Sequence, residues 1–146
     1  MTLYLDTSSL IKLYVAEAGS DVVGELVKSA DVVATSAIAY PEARAALARR
    51  RREQVLSAAS LRNAKRALED DWPAYLSLEV TTTLCHDAGD IAERYHLRGH
   101  DSVHLASFLE VARVAGATDV RFSSADTRLN HAAERAVRAL MRAARR

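Results

Sequence analysis

Four short runs of apolar and β-branched residues, each separated from the next by helical patterning, constrain this chain more than any other feature of it. Leu3-Tyr4-Leu5, Val32-Val33-Ala34, Leu78–Thr83 and Asp119–Ser123 read as strands. Strands that alternate with helices imply a mainly parallel sheet with helices packed on its faces. The expected architecture is a three-layer α/β/α sandwich around a central parallel sheet of four or five strands. At 146 residues the chain fits a single domain, assigned here to residues 1–137 with a basic tail over 138–146.

The helices are delimited by caps and breakers. Asp6-Thr7-Ser8 caps a helix through Leu10, Ile11 and Leu13, and a second spans about Ser20 to Ser29. Thr35-Ser36 precedes a third, from about Ala37 to Arg52, that buries Ala43, Ala46 and Leu47, with Pro41 in its first turns. Residues 57–76 are helical by composition with an interruption near Pro73, and Asp87 to His96 forms another helix with Gly99 as its stop. A helix from Asp101 to Ala115 follows, and Asp126 opens the last.

In parallel sheets ligands collect beyond the carboxyl ends of the strands. Four acids occupy such places: Asp6 ends the first strand, Glu42 lies early in the helix after the second, Asp101 opens the helix leading to the fourth, and Asp126 lies just past the fourth. Taken singly, each Asp is an ordinary helix cap and Glu42 an ordinary exposed helix residue. Taken together they can converge, and convergence is costly. Two unit charges about 6 Å apart repel by roughly 3 kcal/mol at an effective dielectric near 20, and four such groups make six pairs. A divalent cation removes that cost. Hard oxygen donors suit Mg2+, or Mn2+, better than zinc, and such an ion can activate water against a phosphodiester. In this reading Asp6 and Asp101 are metal ligands and Asp126 a ligand or a partner of one. Glu42 binds a second ion or orients the attacking water. Ser8 and Ser124 aim the carboxylates by hydrogen bonds.

At these residues the sequence resembles the PIN-domain ribonucleases, specifically the VapC-type toxins of toxin–antitoxin pairs. The matching stretches are Leu5-Asp6-Thr7-Ser8-Ser9-Leu10, Thr35-Ser36, Tyr40-Pro41-Glu42-Ala43-Arg44, Leu97-Arg98-Gly99-His100-Asp101-Ser102-Val103-His104-Leu105-Ala106, and Phe122-Ser123-Ser124-Ala125-Asp126. The resemblance runs from about residue 2 to 135. It implies metal-dependent endonucleolytic cleavage of RNA with Asp6, Glu42, Asp101 and Asp126 as the catalytic acids. It also implies growth inhibition, a cognate antitoxin that covers the acidic pocket, and homodimers. Ser8 and Ser124 stand where many relatives have Asn or Ser and Thr respectively. The segment after Asp126 lacks the family's usual closing strand.

Charge and composition bear on partners. The formal net charge is only +1, so the whole-molecule field does not mark a nucleic-acid binder. The arginines are clustered, however. Arg44 and Arg98 are candidate RNA-backbone contacts, Arg49 to Arg52 suit RNA or an acidic antitoxin segment, and Arg135, Arg138, Arg142, Arg145 and Arg146 make the tail basic. One cysteine, Cys85, forms no internal disulfide and reads as a small core residue in a reducing compartment. The N-terminus does not read as a signal peptide, and no apolar run approaches the roughly 20 residues of a membrane span, so a cytoplasmic location is expected.

Three other readings compete. His86-Asp87 and His100-Asp101, with His104 nearby, resemble the HD-type metal phosphohydrolases, which are built from helices alone. A catalytically silent PIN-like module would bind RNA or protein without cutting, but such a module is expected to have lost an acid. A structure-selective DNA nuclease of related fold would need DNA-clamping elements for which this chain has little room.

Overall fold

The computed structural model describes residues 1–146. Four strands, β1 (Thr2–Leu5), β2 (Val32–Ser36), β3 (Leu76–Leu78) and β4 (Val120–Ser123), form one sheet in the order β3-β2-β1-β4, every neighbouring pair parallel. The helices are α1 (Thr7–Leu10), α2 (Ser20–Ser29), α3 (Ala39–Arg52), α4 (Ala58–Asp71), α5 (Thr82–Tyr95), α6 (Gly99–Ala115) and α7 (Thr127–Ala143). Helix α7 carries the chain through Ala143, so most of residues 138–146 are helical.

The period-2 geometry of β1 divides the core. Leu3 and Leu5 point to one face, where they pack with Leu10, Val23, Ala43, Leu47 and Leu68 from α1 to α4. Tyr4 points to the other, with Leu105, Phe108, Leu129, Ala132, Ala133 and Ala136 from α6 and α7. The spacing of these residues is helical: Ala39, Ala43 and Leu47 make one stripe of α3, and Leu129, Ala132, Ala133 and Ala136 one stripe of α7. Ten of the 17 residues of α6 are buried, among them Asp101, Ser102, His104 and Ser107. This helix is clasped between the sheet, α5 and α7, and its polar groups must find partners inside the fold.

Chain connectivity sets the site. From β1 the chain moves outward in one direction to β2 and β3, then returns to place β4 on the opposite side of β1. The order therefore reverses at the β1–β4 boundary, and the connections leaving these two strands diverge and open a crevice. Asp6 lies at that point; its backbone N–H still donates to Ser123 O at 3.1 Å.

Several expectations are corrected. The third strand is Leu76–Leu78, not Leu78–Thr83. The β-branched Thr81 is instead the cap of α5, its Oγ1 accepting from Leu84 N–H at 3.1 Å. Gly99 does not stop α5. His96, in the left-handed region at φ 54°, ends that helix, and Gly99 is the first residue of α6, which makes Asp101 the third residue of its first turn rather than the residue that opens it. Cys85 is exposed, not a core residue. The four-stranded sheet rules out the all-helical HD arrangement. No helix is long and apolar enough to cross a membrane.

An ion-pair clamp ties α3 to the segment before α2. Glu17 Oε2 accepts from Arg50 Nη2 at 3.0 Å and Oε1 from Lys12 Nζ at 3.2 Å. Partial burial pushes the Glu17 carboxyl upward, but the hydrogen bonds from Arg50 and Lys12 outweigh it and leave the pKa lowered. A depressed folded-state pKa contributes stability above the unfolded value and loses it as pH falls through the folded one. Glu17→Gln is therefore expected to lose about 0.5–1 kcal/mol at pH 7, a small amount because the pair is partly solvated. The loss should shrink as pH falls from 7 towards 3, as read by urea unfolding at both values. A deficit that persists undiminished in acid would contradict the clamp.

Candidate active site

A concave pocket of about 580 Å³ opens at the carboxyl end of the sheet, and Asp6, Glu42, Asp101 and Asp126 all line it. Four acids separated by up to 120 residues thus share one cavity with Thr7, Ser8, His100 and His104.

Asp6 forms the inner end. Its residue is only 5% exposed, and its carboxylate accepts three hydrogen bonds. Ser8 Oγ (2.7 Å) and Ser9 N–H (2.9 Å) donate to Oδ1, and Ser124 Oγ donates to Oδ2. Burial pushes the Asp6 carboxyl above its ordinary value, even though these bonds favour the charged form. Ser8 and Ser124 also stitch two turns together. Ala125 N–H donates to Ser8 Oγ at 2.9 Å, and Asp126 N–H to Ser124 Oγ at 3.0 Å. Each serine thus connects the β1–α1 turn to the β4–α7 turn, a role that its hydroxyl alone permits. Ser124 does not itself line the cavity.

Asp101, 9% exposed, projects from the first turns of α6. Arg98 Nε approaches Oδ2 at 3.1 Å and His100 Nε2 approaches Oδ1 at 3.3 Å. Asp126 is exposed and caps α7, its Oδ1 accepting from Arg128 N–H at 2.9 Å.

Glu42 is held by residues that sequence reasoning missed. Thr7 Oγ1 donates to Glu42 Oε1 at 2.8 Å, and His104 Nε2 lies 2.8 Å from the same oxygen. On its other side His104 Nδ1 lies 3.0 Å from the Tyr4 hydroxyl, within the core. A carboxylate only accepts, so Nε2 carries the proton and Nδ1 accepts from Tyr4 in the neutral ring; the hydrogen-bond pattern assigns this tautomer. Burial raises the Glu42 pKa, but the bonds from His104 and Thr7 overcome it and the net direction is down. The one available signal was a histidine three residues after Asp101, set against the apolar Leu105 and Ala106 of a buried helix.

The two arginines proposed for RNA part company. Arg98 lines the pocket. Arg44 does not: Tyr40 Oη accepts from its Nη1 at 2.7 Å, and Glu69 Oε1 lies 3.2 Å from the same nitrogen. Residues two apart on a helix face different ways, which is why Glu42 and Arg44 diverge. Arg49 and Arg50 line the rim, paired with Glu53 and Glu17.

The donors match a hard divalent cation in kind, since all four acids offer oxygen and Asp6 is a buried carboxylate with no arginine or lysine partner. As the side chains stand, no three of the acids or histidines are close enough together to hold an ion. Asp101 is turned toward Arg98 and His100, and its rotation would be part of any binding.

Residues 3–135 match the PIN domain family. Over 108 residues the chain is 43% identical to Ribonuclease VapC45 and, equally, to Ribonuclease VapC49 of two Mycobacterium tuberculosis strains, covering 74% of this chain and 75% of each relative. The fold is also that of M. tuberculosis VapC20, described as a sarcin-ricin loop cleaving toxin. That structure has a TM-score of 0.66 and 21% identity, over 89% of this chain and 94% of the other. FitAcB from Neisseria gonorrhoeae gives 0.65 and 19%, over 90% and 93%.

The pairing of Tyr4 with His104 has a measurable consequence. Tyr4→Phe removes the hydroxyl and leaves a buried imidazole nitrogen unsatisfied, at a cost of about 1–3 kcal/mol. Equilibrium unfolding in urea should show that loss with the slope unchanged. An unaltered midpoint would mean that the hydroxyl does not partner His104.

Proposed function

Because the chain belongs to the PIN domain family, we propose that it is a magnesium-dependent endoribonuclease, the toxin of a toxin–antitoxin pair. Its 43% identity to two VapC ribonucleases supports the substrate class. The observation that carries the reading is the meeting of four sequence-remote acids in one cavity at the point where the strand order reverses.

In this reading Asp6, Asp101 and Asp126 hold Mg2+, or Mn2+. The bound ion supplies positive charge beside the scissile phosphate and lowers the pKa of water. The remaining work falls to the protein. Ser8, Ser124 and the Ser9 amide fix both oxygens of Asp6, so that carboxylate presents one orientation. Thr7 and His104 occupy Oε1 of Glu42 and leave Oε2 facing no protein donor, free to orient the attacking water and accept its proton. Arg98, mostly exposed beside Asp101, can turn from that acid to phosphate once the acid is engaged elsewhere. The partners this implies are RNA, a cognate antitoxin covering the pocket, and a second copy of the chain.

Asp6→Asn or Asp101→Asn is expected to reduce magnesium-dependent RNA cleavage on the order of 10²-fold or more while the protein stays folded. Purified protein incubated with total RNA, with magnesium or EDTA, followed by mapping of the cut ends, checks this. Equal cutting by wild type and variants, indifferent to EDTA, would overturn the assignment.

A further inference from the structure

An acidic pocket repels the polyanion it is proposed to cut, so affinity for RNA must come from neighbouring ground. Most of the arginines around the pocket are already engaged: Arg50 with Glu17, Arg98 with Asp101, Arg49 with Glu53 and, farther off, Arg44 with Glu69.

Next to it lies a second recess of about 500 Å³, between the carboxyl end of α5 and the first turns of α7. Tyr95, His96, Leu97, Arg128, His131 and Arg135 line it. It begins where the acidic pocket ends: Leu97 precedes Arg98, and Arg128 follows Asp126 by two residues. Arg128 and Arg135 take part in no ion pair, and the one acid on the lining, Glu134, faces Arg138 at 3.6 Å. Two uncompensated guanidinium groups therefore share this recess with two exposed imidazoles.

The recess also offers flat surfaces. The Arg135 guanidinium carbon lies 5.3 Å from the centre of the Tyr95 ring, so a half-buried tyrosine backs the guanidinium. His96 is presented by the left-handed turn that ends α5. Guanidinium planes and aromatic rings are the surfaces on which unpaired bases stack, and arginines meet the intervening phosphates. An acidic peptide would use the charges but not the rings.

We propose that this recess binds single-stranded RNA flanking the cleaved bond, with Arg128 and Arg135 on phosphates and the Arg135–Tyr95 pair as a stacking platform for a base. The proposal rests on the ribonuclease reading for its ligand, and its test does not require cutting.

Binding of a fluorescein-labelled 12-nucleotide single-stranded RNA, in EDTA and across a salt series, provides that test. The double variant Arg128→Gln/Arg135→Gln is compared with Arg142→Gln/Arg145→Gln, which removes the same charge from the C-terminal end, outside the recess and without touching the Arg138–Glu134 pair. The recess variant should bind at least about tenfold more weakly, with the log–log salt slope reduced by roughly 1.4, about 0.7 for each phosphate left without its arginine. The control should stay within about twofold of wild type. Arg128→Gln alone, clear of the Arg135–Tyr95 pair, should lower the slope by roughly 0.7 and serves if the double variant melts early. Unchanged affinity in the recess variants, or equal losses in both double variants, would overturn the proposal. Displacement of the RNA by a deca-glutamate peptide as effective as by unlabelled RNA would also overturn it, assigning the recess to an acidic protein segment. Recess-dependent binding by a wild type that never cuts would uphold the recess and refute the nuclease.

Discussion

The carboxylate of Asp6 sits at the carboxyl end of the central strand, nearly shut off from solvent, with a serine from each of two turns donating to it. Most of the pocket depends on that arrangement. Ser8 belongs to the turn after β1 and Ser124 to the turn after β4, and each also accepts a backbone N–H from the segment around Asp126. The same bonds that satisfy the buried acid therefore fix the spacing between the first and fourth acids. Burial favours the neutral form of Asp6 while the hydrogen bonds favour the charged one, and burial prevails. The site is poised to gain from a cation, which would add the counter-charge that the protein withholds.

Glu42 is controlled from the opposite direction. Its partner His104 reaches from α6 and is anchored to Tyr4, a residue of the same central strand that ends in Asp6. A chain of hydrogen bonds from Tyr4 through His104 reaches the pocket that Asp6, two residues further along, enters directly. Strand geometry thus governs the orientation of two acids, one through the backbone and one through a buried imidazole. Asp101 and Asp126 are less constrained. One is held by Arg98 and His100, both exposed, and the other is a helix cap at the surface, so both have room to turn, as the proposed cation site would require.

The parallel sheet was legible because its strands read as short apolar runs beside amphipathic helices, most clearly in β1, which is buried along its whole length. The convergence of acids was legible because strand ends in such sheets have a common destination. What escaped were features decided at short range by one side chain or at long range by tertiary packing. Val80-Thr81-Thr82-Thr83 has strand composition, yet the Thr81 hydroxyl captures an amide and begins a helix. Gly99 has the composition of a terminator, but a left-handed His96 already ends α5. The bonds from His104 to Tyr4 and Glu42 join residues 100 and 62 positions apart, and no local pattern announces them. Adjacency in sequence puts Arg44 near Glu42, whereas helical geometry sends it to Glu69.

The claim on which the account turns is that these acids jointly hold a hard cation. Anomalous scattering from crystals of the protein soaked in manganese addresses it directly. The account predicts a peak in the pocket, with carboxylate oxygens of Asp6 and Asp101 at about 2.1 Å and Asp101 turned away from Arg98. Saturating manganese with no peak there, or a peak coordinated only by residues outside the pocket, would contradict it.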